Sequence, residues 1–291
     1  MIRSTKKIIL GTVQMGLDYG VNNKGGKIDF ESSCQVLSKA FKLGIDTLDT
    51  AEAYGNAHQV IGDFHKLNPN SIFNIITKVP QGKIKDFESR VSDYLKQLNV
   101  DFLEVLMFHS FDSYLNNKKS ISVLNELKKH GIINHIGVSV YTNEQIEALL
   151  LDDNISVVQM PFNLLDNVSV RGELMIALKK HGKIIHTRSA FLQGLFFKEN
   201  YDDNKIAQQL AFELSSIKKI VEIQNTNISN LALSYCLNEE LIDQVLIGVD
   251  SEEQLIDNLK AINYKLRNDV ITEINSLKVK KLDLLNPSLW K

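Results

Sequence analysis

The chain has 291 residues, 44% of them hydrophobic, and a net charge of −2. That is an ordinary globular composition with length enough for a large core. Balanced charge argues against a nucleic-acid surface, no apolar run approaches the ~18 residues of a membrane span, and two cysteines outside any metal-ligand spacing argue against a disulfide or metal framework.

Short apolar runs alternate with longer helical patterns in a regular order. The candidate strands are KIILGT, DTLDT, FNIITKV, DFLEVLMF, IGVSV, SVVQM, KIIHT and QVLIGV. Most are continuous apolar runs, which suits parallel strands covered on both faces. Between them, Asp86 to Leu98 places Phe87, Val91, Tyr94, Leu95 and Leu98 on one stripe, and Ser120 to His130 does so with Ile121, Leu124 and Leu127. "LKKHG" occurs at Leu127–Gly131 and again at Leu178–Gly182. Cations in a last helical turn, then a glycine able to turn left-handed, then a strand, are the punctuation of αβ loops. The pattern predicts one (β/α)₈ barrel over residues 1–291, with a long insert between strands 7 and 8, Arg188 to Gln244. The N-terminal stretch lacks a signal-peptide pattern, so a cytoplasmic protein with reduced thiols is expected.

Chemistry in such a barrel sits at the C-terminal strand ends. Asp49 ends the second strand, Lys78 the third and His109 the fourth, with Tyr54 just past the second. The steps of 29 and 31 residues are each one β/α unit, so these side chains are expected in one pocket. A phenol near pKa ~10 is a poor acid at neutral pH unless its anion is stabilised, and a neighbouring ammonium held by a carboxylate does that. A histidine beside it can orient a carbonyl oxygen. Tyrosine as general acid, lysine and aspartate as tuners and histidine as orienter make a carbonyl-reduction site that needs only a hydride donor. No metal ligand set accompanies them.

The chain resembles an aldo-keto reductase along nearly its whole length. "LGTVQMG", "GIDTLDTAEAYGNAHQVIG", "ITKV", "LMFHS", "KKHGIINHIGVSVY", "VVQMPFNLLD" and "FLQGLF" follow the family's blocks in order. The resemblance implies that Asp49, Tyr54, Lys78 and His109 are the catalytic tetrad and that NADPH or NADH binds over the barrel mouth. Cofactor contacts carry over to Gly11 and Thr12 of the opening strand and to Ser139 and Gln159 as carboxamide partners. Val140 stands where the family has asparagine, which removes one amide contact. Arg188 stands where the family stacks an aromatic on the nicotinamide; a guanidinium plane also stacks, but it brings a charge. Leu192, Gly194 and Leu195 would follow the pyrophosphate, and Gly248, Asp250, Ser251, Gln254 and Asn258 match the adenosine end. Asp250, Glu252 and Glu253 place acid where a 2′-phosphate would lie, so this loop leans towards NADH.

The resemblance implies a small carbonyl substrate, and the opening "GTVQMGLDYGVNN" resembles bacterial members associated with surface sugars. The alternative is a non-catalytic NAD(P)H-sensing regulator of the same fold, which typically has an eroded tetrad. A metal-dependent isomerase lacks its ligands here, and a Schiff-base aldolase would have its lysine held protonated by Asp49. Trp290, in the C-terminal "LLNPSLWK", is expected to pack rather than reach the barrel mouth.

Overall fold

Eight short parallel strands close on themselves in chain order: β1 (Ile8–Gly11), β2 (Thr47–Asp49), β3 (Asn74–Val79), β4 (Leu103–Phe108), β5 (Ile133–Ser139), β6 (Val157–Pro161), β7 (Ile184–Arg188) and β8 (Gln244–Ile247). The structure is a computed structural model that describes residues 5–20, 23 and 25–290. It is a (β/α)₈ barrel, with the last strand pairing to the first through Ile8↔Val245, Ile9↔Leu246 and Leu10↔Ile247. The helices are α1 (Val13–Gly16), α2 (Phe30–Lys42), α3 (Ala57–Leu67), α4 (Phe87–Leu98), α5 (Phe111–Asn117), α6 (Ile121–Lys129), α7 (Asn143–Glu147) and α8 (Val168–Lys180). After β7 come α9 (Lys205–Gln209), α10 (Ala211–Ile223) and α11 (Ile228–Asn238), and after β8 come α12 (Glu252–Lys260) and α13 (Asn268–Ser276).

The helices begin and end for local reasons. Asp29, Asp86 and Ser251 each accept a hydrogen bond from the backbone N–H three residues on, capping α2, α4 and α12. Both LKKHG glycines are left-handed, Gly131 at φ 72° and Gly182 at φ 68°, and each is followed by a strand.

Alternation along the strands sorts the core into two parts. One set faces the helices and forms the large sheath core: Leu10, Leu48, Ile75, Leu106, Val138, Val158 and Ile185. The other fills the barrel: Ile9, Ile76, Val105, Met107 and Val157, with Ile184 and Leu246 packed against them. Two residues further along each strand, the inward positions turn polar or small. They are Gly11, Lys78, His109, Gln159, His186 and Gly248, joined by Asp49 and Ser139 on β2 and β5. The site is therefore the continuation of the barrel interior beyond its apolar plug. The β5 strand starts at Ile133, earlier than the apolar run IGVSV suggests, because Ile133 and His135 pair with Leu103 and Val105 of β4 at the barrel's lower rim.

Among the described residues, no helix is long and apolar enough to cross a membrane, and no cluster of potential ligands could hold a metal ion. Trp290 packs against the core and donates its indole N–H to Leu284 O at 3.1 Å. Beside it, Pro287 and Ser288 border the main cavity.

Candidate active site

A cavity of about 620 Å³ opens at the C-terminal end of the strands, within the size range of small-molecule sites. Asp49, Tyr54, Lys78 and His109 all line its floor. The Lys78 ammonium is bonded to the Asp49 carboxylate and donates to Thr50 O at 3.2 Å. Gln159 Nε2 donates to the other carboxylate oxygen at 2.9 Å. Lys78 and Asp49 are each only 2% exposed, so their charges are compensated almost entirely by one another.

Tyr54 stands over this pair. Lys78 Nζ lies 5.2 Å from its ring centroid, and the His109 ring meets it edge-on with centroids 5.6 Å apart. Burial and then the Asp49 carboxylate push the phenol's pKa well above its ordinary value, while Arg188 pulls the other way. This differs from the sequence-based expectation of a phenol tuned downwards by lysine. The reason is that Lys78 spends its charge on Asp49, which leaves burial to dominate. Burial, Lys78 and Arg188 together lower His109 to about 3, so its ring is neutral and can donate from one nitrogen and accept at the other. The Lys78 pKa is itself lowered by burial against the raising effect of Asp49.

The loop carrying Tyr54 is fixed from two sides. Glu52 N donates to Lys78 O at 3.1 Å, and the Glu52 carboxylate accepts from Arg90 at 2.6 Å and from Tyr94 of α4. On the other side Gly16 packs against the Tyr54 carbonyl so closely that any Cβ there would overlap it. Glycine in "QMG" is thus required by the approach of α1 to the tyrosine loop.

The remaining expected residues divide. Gly11, Thr12, Ser139, Gln159, Arg188, Gly194, Gly248, Asp250, Gln254 and Asn258 line the cavity. Leu192 and Leu195 do not: both are fully buried in the sheath core, because the chain turns left-handed at Gln193 and Gly194 and drives the leucines inwards. Ser251 is also off the lining; its hydroxyl caps α12 by accepting from Gln254 N. Glu252 and Glu253 lie off it too, and Glu252 pairs with Lys39 of α2 at 2.9 Å. Of the three acids, only Asp250 faces the cavity. Val140 is fully buried in the sheath, and its carbonyl accepts from Arg188.

Sequence reading did not single out Gln14, Tyr19, Tyr141, Phe191, Gln193 or Phe197, all of which line the cavity. Tyr19 OH accepts from Gln193 Nε2 at 2.8 Å, joining the loop after β1 to the loop after β7. Ser189, Leu192 and Gln193 have φ of 63°, 47° and 52°. Three non-glycine residues in the left-handed region within one loop concentrate strain at the site.

The donor and acceptor set suits a dinucleotide. Gln14 Oε1 and Asp250 Oδ1 are buried without a hydrogen-bond partner and both residues line the cavity, so each is an acceptor facing space where donors can enter. Gly248 leaves room that a side chain would fill, since its Cβ would come within 2.6 Å of Gln14 Nε2.

Two further buried histidines join His109 in weakening the fold in acid. Burial lowers His58 and His186 to about 4 each, below the ~6.5 of an unfolded chain. Their contribution is complete above about pH 6.5. Below it the unfolded chain takes up the protons first, and stability is lost as pH falls towards 4, on the order of 3 kcal/mol per histidine by then. Denaturant midpoints measured between pH 7 and pH 4.5 should fall steadily; a flat profile would show that these rings are charged in the folded protein.

The fold, the polar set at its mouth and the matched sequence define an oxidoreductase. Residues 7–279 match the model of the Aldo/keto reductase family, and the chain belongs to that family. It is an NAD(P)H-dependent enzyme of this group. The chain is 24% identical to the NADH-specific methylglyoxal reductase of Escherichia coli (strain K12), over 90% of this chain and 94% of that one. Among solved structures it resembles the holo form of an aldo-keto reductase from Bacillus halodurans, with TM-score 0.75 and 21% identity over 93% of this chain and 91% of that one. It also resembles the glycerol dehydrogenase of Gluconobacter oxydans, with TM-score 0.73 and 20% identity over 93% and 90%.

Proposed function

We propose that this chain reduces an aldehyde or ketone to an alcohol, with Tyr54 as the general acid. The observation that carries the reading is the meeting of Tyr54, His109 and the Lys78–Asp49 pair at the floor of one cavity. A reduced nicotinamide bound at this end would supply the hydride. Ser139, Gln159 and Arg188 would hold its ring end, and Gly248 with the adjoining Gln14, Asp250, Gln254 and Asn258 the rest of it towards adenosine. His109, neutral, donates one N–H to the carbonyl oxygen and aims it at Tyr54. The phenol then gives up its proton to that oxygen as negative charge develops there, and the Lys78 ammonium stabilises the phenolate left behind. Asp49, held by Gln159, keeps Lys78 charged and in place. The loops after β1 and β7, joined by Tyr19 and Gln193, screen the reacting atoms from water. A complete proton-handling set argues for catalysis over a purely sensing role.

Asp250 gives the cofactor preference. Its buried Oδ1 needs a donor, which a ribose hydroxyl has and a 2′-phosphate lacks. At an effective dielectric near ~20, a carboxylate about 5 Å from such a phosphate is repelled by several kcal/mol before screening. NADH is therefore expected to bind at least as tightly as NADPH, a reading in line with the NADH specificity of the Escherichia coli relative. Asp250→Arg should move the preference towards NADPH by about tenfold or more. A panel of small aldehydes and ketones, followed at the nicotinamide absorbance with each cofactor, tests both points. No turnover of any carbonyl compound with either cofactor would overturn the reductase reading, and a clear NADPH preference in the parent would overturn the role of Asp250.

A further inference from the structure

We propose that Arg188 makes this site discriminate between the redox states of its dinucleotide, holding the neutral reduced nicotinamide more tightly than the cationic oxidised one. The inference rests on the dinucleotide reading above.

The catalytic end of the cavity carries one cation that, among the described residues, forms no ion pair; the acid acting on it, Asp166, is already bonded to Arg171. Lys78 is paired with Asp49, and the nearby Arg171 is paired with Asp166. Arg188 has only neutral partners. Its guanidinium lies 4.0 Å above the Tyr141 ring, donates to Val140 O at 3.0 Å, and reaches Ser139 Oγ and Ser189 Oγ at 3.4 Å each. No carboxylate among the described residues forms an ion pair with it. The aromatic face and the carbonyl hold the plane still, so the charge cannot swing out of the cavity to avoid a second cation. Its influence reaches the reacting groups, since it pulls down the proton affinity of both Tyr54 and His109.

Reduced and oxidised dinucleotides share the pyrophosphate, both riboses and adenine. They differ by a positive charge on the nicotinamide ring. A fixed guanidinium without an ion-pair partner at the ring's end of the cavity acts on that difference and on little else. At short range and an effective dielectric near ~20, the repulsion is ample for about a tenfold difference in affinity after screening. The enzyme would then release oxidised cofactor readily and run in the direction of reduction.

The test is calorimetric titration of the resting protein with NADH and with NAD⁺, for the parent, Arg188→Gln and Arg188→Lys. The parent should bind NADH about tenfold or more tightly than NAD⁺. Arg188→Gln, which keeps amide donors and removes the charge, should bring the ratio towards unity chiefly by tightening NAD⁺. Arg188→Lys should keep most of the preference. An unchanged ratio in Arg188→Gln, or a parent that binds both forms equally, overturns the proposal. Should Arg188→Gln fail to fold, salt titration of the parent decides instead. The NADH:NAD⁺ ratio should narrow as ionic strength rises, and a salt-independent ratio counts against Arg188. A parent that binds neither dinucleotide overturns the underlying cofactor reading, an outcome distinct from binding both without preference.

Discussion

Tyr54→Phe should lower the turnover of carbonyl reduction by about 10²-fold or more while leaving dinucleotide affinity nearly intact. The substitution removes one oxygen and keeps the ring, so the edge-on contact with His109 and the approach of Lys78 to the ring face are preserved. What is lost is the proton donor, and positioned general acids are worth about 10²–10⁴ in rate. The high phenol pKa of the resting site sharpens the expectation. Burial and Asp49 hold the proton on Tyr54 until a carbonyl oxygen accumulates charge, so the acid is fully protonated at neutral pH. Steady-state kinetics with separate cofactor titration reads both quantities. Turnover within a few-fold of the parent would remove Tyr54 from the role and direct attention to His109.

The strands were legible because a strand buried on both faces must be apolar almost throughout, and KIILGT, FNIITKV and DFLEVLMF are. The candidate tetrad was legible for a related reason. In a barrel the last inward position of each strand faces the mouth, so a carboxylate, an ammonium and an imidazole one β/α unit apart have nowhere else to meet. Side chains on the loops obey no such period. Tyr19 and Gln193 are 174 residues apart and touch only because the barrel closes. Tyr141 and Phe191 sit just past strand ends, where the turn alone decides which way a side chain points. The same blindness explains where the structure departs from the sequence reading. Leu192 and Leu195 flank a left-handed turn that no local pattern announces, and it sends them into the core. Glu252 reads as acid at a ligand site, yet Lys39, from a helix some two hundred residues earlier in the chain, has already claimed it. Ser251 reads equally well as a ligand contact or a helix cap, and the cap geometry is what the fold uses.

Lys78→Met should damage both the fold and the chemistry, and a second substitution should separate the two. Removing the ammonium leaves Asp49 charged, 2% exposed, and supported only by Gln159. Breaking one side of such a buried pair typically costs 3–5 kcal/mol, and the Gln159 bond places the expected loss near the lower end, about 3 kcal/mol. Reduction at neutral pH should fall by about 10²-fold or more, because the phenolate left on Tyr54 after proton transfer would face an uncompensated carboxylate where it now faces an ion pair. The double variant Lys78→Met with Asp49→Asn removes both charges. Its amide can still accept from Gln159, so most of the lost stability should return, with a coupling between the two sites measurable as a double-mutant cycle. The activity should not return, since no cation then stands beneath the phenol. Urea denaturation and kcat, measured on the four proteins of the cycle, give the two answers independently. Recovery of stability together with kcat would make the pair a structural feature of the barrel floor, with no part in proton transfer. Recovery of stability alone is the result expected of a lysine whose charge is required by the reaction and whose aspartate makes that charge tolerable inside the protein.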